Sequence, residues 1–410
     1  MPDTRLDVDF CRSFFPPLSS GEVYFENAGG SYAPRQVIDS LTAFMRECQC
    51  QPGWQFASSR SARERLERAQ ALMAEAINAD CDEIVIGPST TLNVYVLAHA
   101  LAPLLAPGSE IVVTNQDHEA NGGAWRRLAE TGVKVREWRI DARSGDLDPG
   151  QLDELLSERT RLVCFPHVSN IVGSVNDVQA ITAKAHAVGA LVCVDGVATV
   201  AHQLPDVKAL DADFYLFSVY KMYGPHLGVM YAKREHMEAV SNQNHFFHQG
   251  NVPEMLHPGG LSYESAASMA GIVDYLESLY SHHFSARDND LRTRLHKVYG
   301  LFQKHEASLM ARVLDYLSGR PDIRLIGRDT SDPSMRAATF SVTVAGRDPA
   351  DIASRLAEQG VCVGHGHFYG YRCVNALGID PAQGVLRFSM VHYNTLDEVE
   401  KLVVALDAIA

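Results

Sequence analysis

Phe214-Tyr215-Leu216-Phe217-Ser218-Val219-Tyr220-Lys221-Met222-Tyr223-Gly224-Pro225-His226 runs from an apolar tetrad into a lysine. The tetrad reads as a short strand, so Lys221 falls just past a strand end. Working outward, Leu191-Val192-Cys193-Val194, Leu162-Val163-Cys164-Phe165, the stretch 133–138 and Glu110-Ile111-Val112-Val113-Thr114 are further runs of the same kind. Helical patterns lie between several of them, over 124–131, 149–156 and 178–188. This alternation predicts an α/β domain built on a mainly parallel sheet sandwiched by helices. In such a sheet, ligands bind beyond the carboxyl ends of the strands, where Lys221 lies.

The C-terminal third reads differently. A charged helical stretch over 263–317 suits a connector, and apolar runs at 337–344, 361–363 and 385–390 alternate with helices at 349–359 and 396–409. A smaller α+β domain is expected there. The predicted organisation is an N-terminal segment (1–23) packing on the small domain, a large domain (24–275), a helical connector (276–318) and a small C-terminal domain (319–410).

Bulk properties narrow the class. With 410 residues, 46% hydrophobic and 21% charged, the chain has the composition of a globular protein, and no apolar stretch approaches the roughly 20 residues of a bilayer span. A formal charge of −14 with no basic stripe disfavours nucleic acid. The Met-Pro-Asp-Thr-Arg start has no apolar signal core, and the eight scattered cysteines form no paired framework. A cytoplasmic protein is expected.

Residues with chemical potential collect at strand ends. Ser89-Thr90-Thr91 precedes an apolar helix and offers hydroxyls beside free backbone donors, which suits a phosphate or, alternatively, a plain N-cap. His118 follows the run Ile111–Val113 and is either a stacking, proton-carrying imidazole or a surface histidine. Asn170, after Phe165, is a hydrogen-bond donor or a turn residue. Asp195 ends the run Leu191–Val194 and lies twenty-six residues before Lys221. Ser218 and Tyr220 flank Lys221 with hydroxyls. A desolvated lysine that forms an imine, together with an acid that keeps a pyridine nitrogen protonated, is the signature expected of pyridoxal 5′-phosphate. Arg387, amid apolar residues in Gly384-Val385-Leu386-Arg387-Phe388-Ser389, clamps either a substrate carboxylate or an internal acid.

Taken together, seven stretches in order resemble the class V, fold-type I pyridoxal phosphate enzymes, most closely the branch of cysteine desulfurases and selenocysteine lyases. They are Tyr24-Phe25-Glu26-Asn27-Ala28-Gly29-Gly30, Ser89-Thr90-Thr91, His118-Glu119-Ala120-Asn121, His167-Val168-Ser169-Asn170, Val194-Asp195-Gly196, Ser218 to Pro225, and Arg387 with Tyr393-Asn394-Thr395. The resemblance implies a homodimer with active sites at the subunit interface, and an amino-acid substrate. Lys221 becomes the Schiff-base lysine that also moves the substrate α-proton. His118, Asn170, Asp195, Ser218 and the 89–91 turn fall on cofactor-binding positions, Arg387 on the substrate carboxylate position, and Asn27 with the substrate.

The departures are equally specific. The stretch corresponding to the desulfurase nucleophile loop, Val363-Gly364-His365-Gly366-His367-Phe368-Tyr369-Gly370-Tyr371-Arg372, holds no cysteine. Cys362 and Cys373 flank it and read as small buried hydrophobes. Ala198, Tyr220 and Gly260 replace a glutamine, a histidine and a threonine common in that branch. The expectation is a C–S lyase acting by β-elimination, with His365, His367 and Tyr369 lining the entrance. A class V aminotransferase or epimerase is the enzymatic alternative, and a cofactor-binding scaffold or sensor the non-catalytic one. His365-Gly366-His367 lacks a third ligand, so no metal is expected. Neither the leaving group nor a sulfur-acceptor protein is legible in the chain.

Overall fold

Along the predicted strands, successive side chains enter two different cores. Ile111 and Val113, Leu162 and Cys164, Phe214 and Leu216 belong to one apolar cluster, whereas Val112, Val163, Phe165, Tyr215 and Phe217 belong to another. Side chains on a strand point alternately to opposite faces, so an unbroken apolar run is the pattern of a sheet covered on both sides. The computed structural model, which describes residues 5–252, 254–285 and 288–409, has this arrangement. Residues 1–4 of the expected N-terminal segment lie outside the described residues.

The strands are β1 (Val23–Tyr24), β2 (Ile84–Gly87), β3 (Glu110–Thr114), β4 (Lys134–Trp138), β5 (Thr160–Pro166), β6 (Leu191–Asp195) and β7 (Phe214–Ser218). They continue with β8 (Gly228–Ala232), β9 (Ile323–Ile326), β10 (Thr339–Val344), β11 (Val361–Cys362), β12 (Gly364–Gly366) and β13 (Val385–Ser389). Seven form the large sheet in the order β2-β8-β7-β6-β5-β3-β4. All neighbours in it are parallel except β8, which runs antiparallel to both β2 and β7. Helices Thr90–Leu101 and Glu119–Arg127 cover one face; Ala57–Ile77, Val178–His186 and Ala270–His283 contribute to the core on the other.

Local signals start these helices. Ser89 accepts from Leu92 N at the head of Thr90–Leu101, and Asp177 accepts from Ala180 N at the head of Val178–His186. The stretch expected helical from residue 124 begins earlier, at Glu119, because His118 is itself the N-cap. The expected connector is three helices, Tyr263–Ser268, Ala270–His283 and Leu291–Ser318, the last opened by the Asp290 cap.

The smaller sheet, in the order β12-β13-β10-β9, is antiparallel throughout, and with helices Pro349–Glu358 and Leu396–Ile409 it makes the α+β unit. Its core also takes in Val23 and Phe25, because β1 pairs in parallel with β11. The N-terminal segment, expected against the small domain, divides its contacts. Cys11 and Phe15 enter the larger core, and Arg12 reaches across to Glu398 at 2.8 Å and to Tyr393 O at 2.7 Å. No helix among the described residues is long and apolar enough to cross a membrane.

Candidate active site

The carboxyl ends of β2, β5, β6 and β7 and the turn after β3 converge on one cavity. Ser89, Thr90, Thr91, His118, Asn170, Asp195, Ser218, Tyr220 and Lys221 all line it, with Pro166, Val168, Val197 and Ala198 as apolar wall. Nine positions that span more than 130 residues of sequence therefore meet at one place.

Lys221 ends the short 3-10 turn Val219–Lys221 that follows β7, and it is buried. Its amine makes no hydrogen bond or ion pair among the described residues and lies 5.9 Å from the centroid of the Tyr220 ring. Burial first, and the Arg387 charge second, lower its pKa to about 8, against the opposing pull of Asp195 and Glu26. Asp195 is the last residue of β6, and its Oδ1 accepts from Val197 N at 2.8 Å. Burial raises its carboxyl to about 6 even so.

His118 takes the N-cap position of Glu119–Arg127, and its Nδ1 accepts from Ala120 N at 3.0 Å. That bond assigns the ring proton to Nε2. Burial, reinforced by the Lys221 and Arg387 charges, lowers its pKa to about 3, so the ring is neutral and suited to stacking more than to shuttling protons at neutral pH. Beneath it, buried Asp117 is bonded by Asn121 Nδ2 at 2.9 Å and by Thr114 Oγ1, and burial raises its carboxyl to about 8. At the phosphate-like end, Thr90 Oγ1 and Ser218 Oγ lie 2.8 Å apart at the N-terminus of a twelve-residue helix. The Tyr220 ring stacks on His226 with centroids 4.5 Å apart.

These residues fit pyridoxal 5′-phosphate. The donor set holds an unpartnered buried amine, a carboxyl on the cavity wall, and hydroxyls at a helix N-terminus, the usual place for a phosphate. Asn170 gives one Nδ2 proton to Phe368 O at 2.9 Å and keeps a second; its Oδ1 is buried without a partner.

The expected substrate residues are distributed differently. Arg387, 2% exposed, already holds a carboxylate: Nη2 donates to Glu26 Oε1 at 2.5 Å and Nη1 to Asn170 O at 3.2 Å. Phe368 covers its guanidinium at 3.7 Å. The internal-acid alternative thus describes Arg387 as it stands. Asn27 spends its amide on the protein, donating to Ser389 O at 2.8 Å and Asn394 Oδ1 at 3.2 Å and accepting from Tyr393 Oη. None of the five expected substrate residues, Asn27, His365, His367, Tyr369 and Arg387, belongs to the cavity lining; Tyr369 is exposed, with its ring 5.1 Å from that of His118. Cys373 is fully buried with its thiol pushed up to about 12; Cys362, expected to be buried as well, is only half-buried at the end of β11, and that partial burial raises its thiol too.

The sequence pattern alone assigns no role to Glu26, Asp117 or Phe368. The stretch Glu26-Asn27-Ala28-Gly29-Gly30, an acid ahead of Asn and three small residues, carries a signal for Glu26; nothing local marks Phe368.

A family model for class V aminotransferases matches residues 23–300 and 299–402. The chain is 35% identical over 419 residues to the aminotransferase-like protein FGM3 of Gibberella zeae, covering all of both. It is 33% identical to the cysteine desulfurase-like protein ustD of Aspergillus flavus, covering 98% of this chain and 91% of that one. The cysteine desulfurase CsdA of Escherichia coli superposes with a TM-score of 0.82 at 28% identity, covering 98% of each chain.

Proposed function

The chain belongs to the class V aminotransferase family, whose members depend on pyridoxal 5′-phosphate, and from that premise we propose that it is a C–S lyase acting on a cysteine-type or other β-substituted amino acid. The cofactor supplies an electron sink for the pair released when the substrate Cα–H bond breaks. Lys221 would attach it and carry the α-proton. A pKa near 8 supports both tasks, because an appreciable fraction of the amine is free near neutral pH. With the cofactor bound, Asp195 would pair with the heterocycle nitrogen, His118 would stack on its ring, and Asn170 would donate to its phenolic oxygen. Ser89, Thr90, Thr91, Ser218 and Tyr220 would hold its phosphate end.

The observation that carries elimination, in place of persulfide transfer, is the state of the thiols. The stretch 363–372 holds no cysteine, Cys373 is fully buried with its thiol pushed up to about 12, and partial burial shifts half-buried Cys362 upward, away from the thiolate that sulfur transfer needs. A β-elimination needs only a base, a sink and a leaving group. The protein acts as a cytoplasmic homodimer; exposed Leu92, Phe246 and Phe247 supply apolar surface for a second copy.

Purified holoenzyme incubated with S-methyl-L-cysteine is expected to release methanethiol and pyruvate in equal amounts. Cys362→Ala and Cys373→Ala retain most of that activity. Lys221→Ala loses it, along with the borohydride-reducible attachment of cofactor to protein. A new amino acid formed from an added keto acid, with no thiol, would make the enzyme an aminotransferase instead.

A further inference from the structure

Arg387 has no free edge for a substrate. One terminal nitrogen binds Glu26, the other binds the Asn170 carbonyl, and Phe368 covers the guanidinium face. A bidentate carboxylate on this arginine therefore needs a place that Glu26 now holds. The surroundings are shaped to that acid. A Cβ on Gly29 would lie 2.5 Å from Glu26 Oε1, and one on Gly364 would lie 2.6 Å from Oε2. The pair is also incompletely satisfied. Glu26 Oε2 and Arg387 Nε are both buried without a hydrogen-bond partner. Arg387 is buried but the Glu26 side chain keeps 25% of its surface exposed, and an incompletely satisfied pair of this kind is open to replacement by a carboxylate that completes the bonds.

We infer that Glu26 is an internal stand-in for the substrate carboxylate, and that substrates bind by exchanging their own carboxylate for it. This rests on the reading of Arg387 as the substrate's partner. The exchange makes Glu26 a specificity residue. A free α-amino acid displaces Glu26 and gains both Arg387 contacts, whereas an amine without a carboxylate leaves the pair closed. The enzyme therefore prefers free amino acids at the expense of affinity for all of them. Phe368 and Tyr369 take part, since both hold left-handed backbone (φ +45° and +58°) and are pinned by Asn170 Nδ2 to Phe368 O and Glu119 N to Tyr369 O. A carboxylate arriving at Arg387 enters beside that strained turn.

The matched probes are L-alanine and ethylamine, which differ by the carboxylate alone and carry no β leaving group, so binding is independent of whether elimination occurs. Calorimetric titration of holoenzyme should show Glu26→Gln binding L-alanine about tenfold or more tighter, with ethylamine unchanged; one competing charge-assisted bond has that worth. Glu26→Ala, which removes the acceptor outright, should shift L-alanine in the same direction. Unchanged or weaker L-alanine binding in both variants, or equal gains for both ligands, overturns the inference. Arg387→Met separates the premise: if wild-type preference for L-alanine over ethylamine survives that change, Arg387 is not the carboxylate's partner, and the proposal falls with it.

Discussion

At Lys221 the decisive quantity is the cost of keeping an amine charged where water is excluded. Burial lowers its pKa from 10.5 to about 8, and no bonded anion restores it, because Asp195 and Glu26 act only through space. The sign is clear: above about 8 the folded protein holds a neutral, nucleophilic amine, and below it a charged, inert one. The rate at which apoprotein takes up pyridoxal 5′-phosphate should therefore climb roughly tenfold per pH unit from about 6 towards 8 and level off above. Stopped-flow absorbance on the apoprotein measures this. A rate flat from pH 6 to 9 would mean that the amine is not the attacking group. His118, neutral throughout this range, contributes no inflection of its own.

Between elements, close approach decides whether the phosphate end of the cavity exists. β8 lies beside β2, and a Cβ on Gly228 would fall 2.3 Å from the carbonyl carbon of Ser89 and 2.5 Å from Thr90 N. Those are backbone atoms at the head of Thr90–Leu101, so they cannot step aside as a flexible side chain would. Gly228→Ala should push the helix terminus away and weaken cofactor binding by about tenfold or more, through lost backbone donors. Fluorescence titration of apoprotein reads the affinity, with circular dichroism to check the fold; unchanged affinity would show that this terminus does not hold the phosphate. The sequence hid this contact for a reason. β3, β5, β6 and β7 were legible because burial on both faces forces continuous apolar runs, and Ser89, His118, Asn170, Asp195 and Lys221 were legible because they sit where those runs end. β8 follows a Gly-Pro turn closely and was missed; helices Arg35–Glu47 and Ala57–Ile77 were missed under their surface charges. β12, a Gly-His-Gly, has no strand propensity at all and exists through its pairing with β13. The Glu26–Arg387 pair joins residues 361 apart, and no local pattern encodes such a meeting.

Across the whole molecule, the N-terminal segment is held by two kinds of contact that differ in worth. Phe15, 2% exposed, sits among Tyr223, Tyr275, His392 and Tyr393, with its ring 4.7 Å from that of Tyr393 and 5.2 Å from that of Tyr275. Tyr223 in turn is two residues past Lys221, holds φ +66°, and donates to Ala201 O at 2.7 Å. The packing of Phe15 thus supports the turn that carries the lysine. Arg12 makes charged bonds to Glu398 and Tyr393 O, yet its side chain keeps 24% of its surface in water, where screening discounts an ion pair. Phe15→Ala should cost about 3–5 kcal/mol, as large-to-small changes in a closed aromatic core do, because its neighbours are tethered by hydrogen bonds and cannot collapse into the space. Arg12→Ala should cost about 1 kcal/mol. Urea unfolding of the apoprotein ranks the two. Equal losses would mean that the segment is held by charge across the domains, and not by the ring buried behind the active lysine.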